Sequence, residues 1–481
     1  MELTIPLHLQ GPLGRQVFEG LRDAILSGRL RAGDRLPSTR ELAEQWGVSR
    51  TVVVLAFEQL LAEGYVEGRR GSGTYVLPGI GARPSDRRIA AIALSTYGKR
   101  AAEVPRAASV SPAGTASRRF DFAYGRGDIG DFPFAHWRRL LAKHARQTSI
   151  RELDYGPAAG HAALREAICH HVRRSRSVVC DPDQVIVVNG SQQAIDLLTR
   201  VLVDAGDTIA IEDPHYQGTR AILATAGARL VPVPVDDAGL DPGKLPPSAR
   251  ALFLTPSHQF PMGSVLTLAR RLAILEWANR CEAVVVEDDY DGEFRYDGQP
   301  LESLQGLDGG GRVIYVGTFS RTIFPALRVG YLIVPKALVG VFETAKWLTD
   351  RHTAGLEQRV LAEFIAAGTY EFYLRRVRRS LAARRDALVE AIDGAWRGTM
   401  RLSGAASGAH VVLWPDAPFD EPEAIRAAAG NDVAVYPVSG YFFGEGRPGL
   451  LLGYAQMSVD DIREGIRRLA LSLEAIRHAR A

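Results

Sequence analysis

Apolar side chains at Val17, Leu21, Ile25 and Leu26 fall at the spacing of one helix face, and Gly28 closes that stretch. A second helix is expected just after Pro37, with Ser38 as its N-cap and Glu41 three residues on completing a capping box. Gly47-Val48 reads as a tight turn, and Ser49 caps a third helix with Val53, Phe57 and Leu60 on its inner face. Period-two alternation follows in 64–67 and 73–76, the two strands of a hairpin around Arg69-Arg70-Gly71-Ser72. From 78 to 119 the pattern dissolves into Pro, Gly, Ala, Ser and Arg, as expected of an extended, mostly unstructured linker. Within it, 89–94 is apolar enough to dock on a neighbouring surface. From residue 120 onward, short apolar runs at 185–188, 208–211, 252–254, 283–286, 313–316 and 329–334 alternate with helical patterns. That alternation predicts an α/β domain around a mostly parallel sheet. A smaller part from about Tyr373 to the end mixes helical patterns with strands at 409–412 and 450–452.

Helix, short turn, helix and a basic-tipped hairpin, in that order, make a winged helix-turn-helix over residues 1–77. Its third helix would present Ser49, Arg50 and Thr51 to a major groove, with Arg50 offering a planar fork for guanine or phosphate. Arg40 is placed to reach a phosphate, and Arg69 and Arg70 sit at the tip of the wing. Charge alone does not select this reading over a solvated helical bundle, because Glu41, Glu44, Glu58, Glu63 and Glu67 offset the arginines.

Composition adds bounds. At 481 residues, two or three domains are expected, and 46% apolar with 23% charged residues is globular. A net charge of +3 creates no strong global field. Three separated cysteines form neither a zinc pattern nor a disulfide framework, and no metal site is expected. The chain shows no apolar run of membrane-spanning length and no signal-peptide pattern at Met1, so a cytoplasmic location and no membrane partner are expected.

In α/β sheets ligands collect beyond the carboxyl ends of strands, and the polar clusters of 120–481 stand there. Asn189-Gly190-Ser191-Gln192-Gln193 follows the 185–188 run and opens a helix, whose free N–H groups suit a phosphate. Tyr216 follows the 208–211 run, and a loop from Thr255 to Gly263 carries His258 and Gln259. Glu287-Asp288-Asp289-Tyr290-Asp291 follows 283–286; an acid at a buried strand end is costly unless paired, and metal binding or a solvated turn are the alternatives. Thr318, Ser320, Arg321 and Arg328 lie between two apolar runs, a plausible phosphate cradle.

The segment 317–331, GTFSRTIFPALRVGY, closely resembles the cofactor-anchoring stretch of fold-type I aminotransferases that use pyridoxal phosphate. Residues 36–76 resemble the GntR regulators, with Thr51-Val52 departing from the common Asn-Thr. The whole chain is identified as resembling the MocR branch of that family, in which a winged helix-turn-helix is fused to an aminotransferase-like domain with large and small subdomains. The resemblance implies that Ser191, Gln192, Ser320 and Arg328 hold the cofactor phosphate and that Tyr216 stacks on the pyridine ring. It also implies that Asp288 pairs with the ring nitrogen, and that Tyr290 and Gln259 (or His258) lie beside the 3-oxygen. A homodimer is implied as well. In the family a lysine follows the serine and forms a Schiff base with the cofactor; here the residue is Arg321. A guanidinium is not deprotonated in proteins and is a poor imine former, so no catalytic residue is expected. Lys336 and Lys346 are not placed by sequence to substitute, and 450–455, where many aminotransferases carry a substrate-carboxylate arginine, has none; Arg447 is nearby without an assigned role. The expectation is a regulator of promoter DNA that senses pyridoxal phosphate or a related small-molecule effector non-covalently. The alternative is an active pyridoxal-phosphate-dependent aminotransferase with an accessory DNA-binding domain.

Overall fold

A computed structural model describes residues 11–79, 92–105, 118–296 and 301–480, which fall into two compact units divided between residues 93 and 94. The first unit contains α1 (Leu13–Leu26), α2 (Thr39–Trp46), α3 (Arg50–Ala62), β1 (Val66–Arg69) and β2 (Gly73–Val76). The capping box forms as the sequence requires: Ser38 Oγ accepts from Glu41 N at 3.2 Å, and Glu41 takes the Ser38 N–H at 2.8 Å. Gly47 ends α2 at φ +64°, a conformation glycine adopts without a Cβ penalty, and Ser49 Oγ then accepts from Val52 N. Val17, Leu21, Ile25, Leu42, Val53 and Leu60 bury one face of each helix in a shared core. The antiparallel hairpin pairs Val66 with Val76 and Arg69 with Gly73.

One part of the stretch read as linker is helical. Residues within it form α4 (Thr96–Glu103), capped by Ser95 Oγ on Gly98 N at 3.0 Å. Arg100 donates to the main-chain oxygen of Ala226 at 3.1 Å and ties this helix to the second unit. Pro and Gly flank that segment but do not occupy its helical turns except at Gly98, so local propensity allowed a helix where overall composition suggested coil. The docking expected of 89–94 is absent where it can be seen: Ile92 is 89% and Leu94 53% exposed. Residues 89–91 lie outside the described residues.

The second unit continues through β3 (Phe120–Asp121), α5 (Phe134–Gln147), α6 (Ala162–Arg176), β4 (Val185–Val188), α7 (Ser191–Leu202), β5 (Thr208–Asp213), α8 (Gln217–Ala226), β6 (Arg229–Asp236) and β7 (Gly239–Leu240). Next come β8 (Ala251–Leu254), α9 (Leu268–Cys281), β9 (Val284–Asp289), α10 (Leu304–Leu307), β10 (Val313–Thr318) and β11 (Gly330–Ile333). These strands make one sheet in the order β4-β11-β10-β9-β8-β5-β6-β7. Strands β6, β5, β8, β9 and β10 run parallel, while β11 is antiparallel to both neighbours. Helices cover both faces, which is why β4, β8 and β11 are apolar and buried at every position.

Three helices, α11 (Val339–Asp350), α12 (Gly355–Ala366) and α13 (Thr369–Ala395), lead to the smaller part. There β12 (Met400–Ser403), β13 (His410–Pro415), α14 (Glu421–Gly430), β14 (Val433–Ala434), β15 (Tyr436–Pro437), β16 (Leu450–Gly453) and α15 (Val459–Arg480) form an antiparallel sheet β12-β13-β16-β15 with its helices. β14 pairs in parallel with β3, so the start of this unit is stitched to its end. No helix of the described residues is long and apolar enough to cross a membrane.

Candidate functional site

Strand alternation sorts the acidic run. Glu287 and Asp289 point to one face of β9 and find partners there, although Asp289 Oδ1 is itself buried without one. Glu287 accepts the Leu304 and Gln305 N–H groups at 2.9 Å each, and Asp289 takes Arg176 Nε and the Tyr315 hydroxyl at 2.6 Å each. Asp288 and Tyr290 are the intervening positions and face the other way. Asp288 Oδ1 is buried and has no hydrogen-bond partner. Burial first, then the neighbouring Asp289, Asp291 and Glu212 charges, push its carboxyl up to about 7, against the pull of Arg321. A carboxyl in that state is seated for a cation that the protein does not itself provide.

The strand-end turn after β4 is rigid. Asn189 N–H donates to Gln193 Oε1, and Asn189 Nδ2 and Gln193 Nε2 both donate to Asp350 Oδ2, each at 2.7 Å. Gly190, at φ +84°, is the N-cap of α7 and offers no side-chain cap, which leaves the N–H groups of Ser191 and Gln192 at an open helix start. Across this start lies Arg328, whose Nη2 donates to Asn189 O at 2.7 Å; a Cβ on Gly190 would stand 2.9 Å from that nitrogen. Arg328 itself holds φ +51°. Ser320 N–H donates to Thr318 Oγ1 at 3.2 Å, while the Ser320 hydroxyl is buried without a partner.

Arg321 projects between these groups. Its Cζ lies 5.7 Å from the Tyr290 ring centre, and its guanidinium packs on Gly125, at φ +81°, where a side chain would collide with Nη1. Together with Phe260, Tyr290, Asp291, Phe294 and His410 it lines a cavity of about 20 Å³. Tyr124 and Tyr441 share a hydroxyl hydrogen bond nearby, and Phe260 packs edge-on to Tyr441 at 5.0 Å. Tyr216 is 42% exposed and stands edge-on to Phe260 at 6.0 Å, a free aromatic face at the mouth. Gln192 is exposed.

Gln259 does not present a free donor. Its Nε2 donates to Pro214 O and Phe260 O at 2.7 and 2.8 Å, and its Oε1 accepts from Met262 N at 3.1 Å, so it shapes the loop. His258 lies closer to the pocket's chemistry, with Nδ1 2.9 Å from Asp291 Oδ2 and 3.1 Å from the Tyr290 hydroxyl. Sequence reasoning missed Gly125, Tyr124, Tyr441 and His410, which arrive from remote stretches. The two candidate replacement lysines are committed elsewhere: Lys346 to Asp350 at 2.5 Å and Lys336 to Asp181 at 2.6 Å.

The side chains present fit a phosphorylated pyridine. An orphaned carboxylate oxygen suits a protonated ring nitrogen; an open helix start, a free hydroxyl and Arg328 suit a phosphate; and Tyr216 offers a stacking face.

On the first unit, Arg40, Ser49, Arg50, Thr51, Arg69 and Arg70 are all exposed. Arg50 Nε reaches Thr39 Oγ1 at 3.5 Å, linking the starts of α2 and α3. Arg69 is paired with Glu67 at 2.6 Å and lies over the Tyr75 ring at 4.6 Å. Arg35, not anticipated from the sequence, packs its guanidinium on Gly73 of the wing.

Residues 13–76 match the model of the bacterial regulatory proteins of the gntR family, and residues 125–469 match aminotransferase class I and II. The chain is 41% identical over 471 residues to the probable rhizopine catabolism regulatory protein MocR of Rhizobium meliloti, covering 97% of this chain and 94% of that one. It is 32% identical over 466 residues to the pyridoxine biosynthesis transcriptional regulator PdxR of Corynebacterium glutamicum, covering 96% of each. Among solved structures, α-aminoadipate aminotransferase LysN of Thermus thermophilus, complexed with N-(5'-phosphopyridoxyl)-L-leucine, aligns at 29% identity and a TM-score of 0.71. That match covers 79% of this chain and 98% of LysN.

Proposed function

The chain belongs to the MocR branch of the GntR transcriptional regulators, and from that premise we propose that its aminotransferase-like domain senses pyridoxal phosphate or a related ligand non-covalently, without transaminase turnover. The observation that carries the proposal is the pairing of a seat for the cofactor with a guanidinium at the anchoring position. Asp288 Oδ1 and Ser320 Oγ are buried and unpartnered, and Arg321, next in sequence to Ser320, bears its charge on the Asp288 carboxyl. Pyridoxal phosphate, when bound, supplies an aldehyde on an electron-withdrawing ring.

Asp288 would hold the ring nitrogen protonated, and Tyr290 would lie beside the ring oxygen. Ser191, Gln192, Ser320 and Arg328 would bind the phosphate through main-chain N–H groups, a hydroxyl and a guanidinium. Gln259 acts on this site only through its loop. Arg321 keeps a positive charge beside the ring but can neither form the imine nor move a proton at the substrate carbon. The similarity to PdxR, a regulator of pyridoxine biosynthesis, is consistent with a B6 vitamer as the sensed molecule. The DNA-reading unit would work from a homodimer that presents two helices α3 to two half-sites.

DNase footprinting across the chain's own promoter region, with and without pyridoxal phosphate, tests the reading. A protected site whose protection shifts with the ligand supports it. The absence of any specific footprint, or steady amino-group transfer by the purified chain, contradicts it.

A further inference from the structure

Beside the cofactor seat, one group of buried side chains carries ligand atoms that the seat does not use. His258 follows β8, Asp291 follows β9, and His410 opens β13 in the smaller sheet; they are 1%, 4% and 4% exposed. One ligand-capable atom from each lies within 4.8 Å of the other two. The imidazole rings stand 4.7 Å apart, centre to centre.

Internal hydrogen bonding does not use up this group. His258 Nδ1 and Asp291 Oδ2 share one bond at 2.9 Å, but His258 Nε2 and Asp291 Oδ1 are both buried and unpartnered. Leaving two such atoms dry costs on the order of 1–3 kcal/mol each, so the arrangement is incomplete as a purely structural device. His410 Nε2 is 3.1 Å from the Pro261 carbonyl, which fixes the proton on that nitrogen and leaves Nδ1 as the lone-pair atom. Gly408 leaves the space open: a Cβ there would run into the His258 ring and stand 2.7 Å from Asp291 Oδ2.

Asp291, His410 and Arg321 line the cavity of about 20 Å³, enough for one water-sized particle and too little for an organic effector. Glu212, Asp288 and Asp291 bear on the same region, against the positive charge of Arg321. Two imidazoles and a carboxylate, buried and partly orphaned, form the donor set of a borderline divalent cation. We infer that His258, Asp291 and His410 bind a divalent transition-metal ion of the zinc type. Such an ion would pin the β8 and β9 loops to β13 and so join the two sheets of this unit. It would be a second input to the domain, adjoining the pyridine seat through the Tyr290 hydroxyl 3.1 Å from His258 Nδ1.

The test loads the untagged full-length chain, stripped with chelator, with cobalt(II) chloride and reads the visible absorbance and the bound metal after dialysis. One equivalent per chain is expected, and affinity should fall at least tenfold in His410→Gln and in Asp291→Asn. Circular dichroism and the melting temperature verify that each variant is folded. X-ray absorption at the zinc edge of the zinc-loaded unsubstituted chain should show two imidazole ligands, and it stands whether or not the variants fold. Failure to retain an equivalent of metal, retention unchanged in both folded variants, or a zinc spectrum without imidazole scattering would each overturn the inference.

Discussion

The arginines of the two units stand in opposite surroundings. On the first unit Arg40, Arg50 and Arg70 are exposed, and even the Arg69–Glu67 pair is open to water. Charges there cost little to hold, interact weakly one by one, and act on DNA by summation and by counterion release. Along β9 of the second unit the charges are buried instead. Asp289 is paired with Arg176, Glu287 is pinned by two N–H groups, and Asp288 is pushed up to about 7 by burial and by the neighbouring Asp289 charge. On the proposed reading, one surface is tuned in small increments, whereas in the pocket the single residue Arg321 would decide between covalent and reversible chemistry.

The contrast can be broken or sharpened by substitution. The largest effect is expected at Asp288: Asp288→Ala should weaken pyridoxal phosphate binding by about 2–5 kcal/mol, the scale for removing one member of a buried charge pair. Fluorescence titration measures it, and DNA affinity at fixed salt without the ligand should not change. Because the Asp288 carboxyl titrates near 7, ligand affinity should also fall as pH drops below 7, and the Ala variant should lose that dependence. A titration unchanged by the substitution would remove Asp288 from the site.

Next comes a structural charge away from the pocket. His171 is buried; burial opposes its charge, but the bonds to Glu293 and to Glu371 at 2.8 Å override this and raise its pKa to about 9. A raised folded-state value means the stabilisation is complete below the unfolded value of 6.5 and is lost as pH climbs through about 9. Urea unfolding should therefore lose about 3 kcal/mol across that window, and His171→Gln should flatten the profile. An identical slope in the variant would contradict the assignment.

Smaller still are the changes on the DNA face. Arg50→Ala should cost about 1–3 kcal/mol and relax base preference, read by competition binding on operator variants. Arg40→Ala should weaken binding evenly across sequences and lower the salt slope by about 1, read by titration at several salt concentrations. If Arg40 instead changed base preference, the division between positioning and reading would be reversed.

Much of the first unit was legible because its signals are local. Ser38 and Glu41 sit three residues apart and cap each other, and Gly47 supplies the turn. The pocket's strand-end residues were legible for a similar reason, since Asn189 to Ser191 and Asp288 to Tyr290 follow apolar runs directly. Asp288 could not be told from Asp289 by composition; the pleat of β9 separates them, with Asp288 on the face opposite the Arg176 pair. What stayed hidden was non-local. Gly125, Tyr124, Tyr441 and His410 come from stretches with no motif of their own, and only the return of β13 and β16 beside the large sheet brings them in. Gln259 was expected at the cofactor, yet its donors are spent on Pro214 and Phe260, a pairing set by the fold of the loop. Helix α4 escaped because its proline- and glycine-rich flanks masked eight helical residues capped by Ser95.

The central claim is that this pocket binds its cofactor reversibly because Arg321 stands at the anchoring position. The direct measurement is borohydride reduction of the unsubstituted chain with one equivalent of pyridoxal phosphate, followed by peptide mass mapping, alongside equilibrium dialysis and the Arg321→Lys variant. The account predicts one bound equivalent by dialysis, no phosphopyridoxyl group on the unsubstituted chain, and stoichiometric labelling at position 321 in the variant. A single lysine of the unsubstituted chain labelled in full would contradict it, because the pocket would then hold its cofactor covalently despite Arg321.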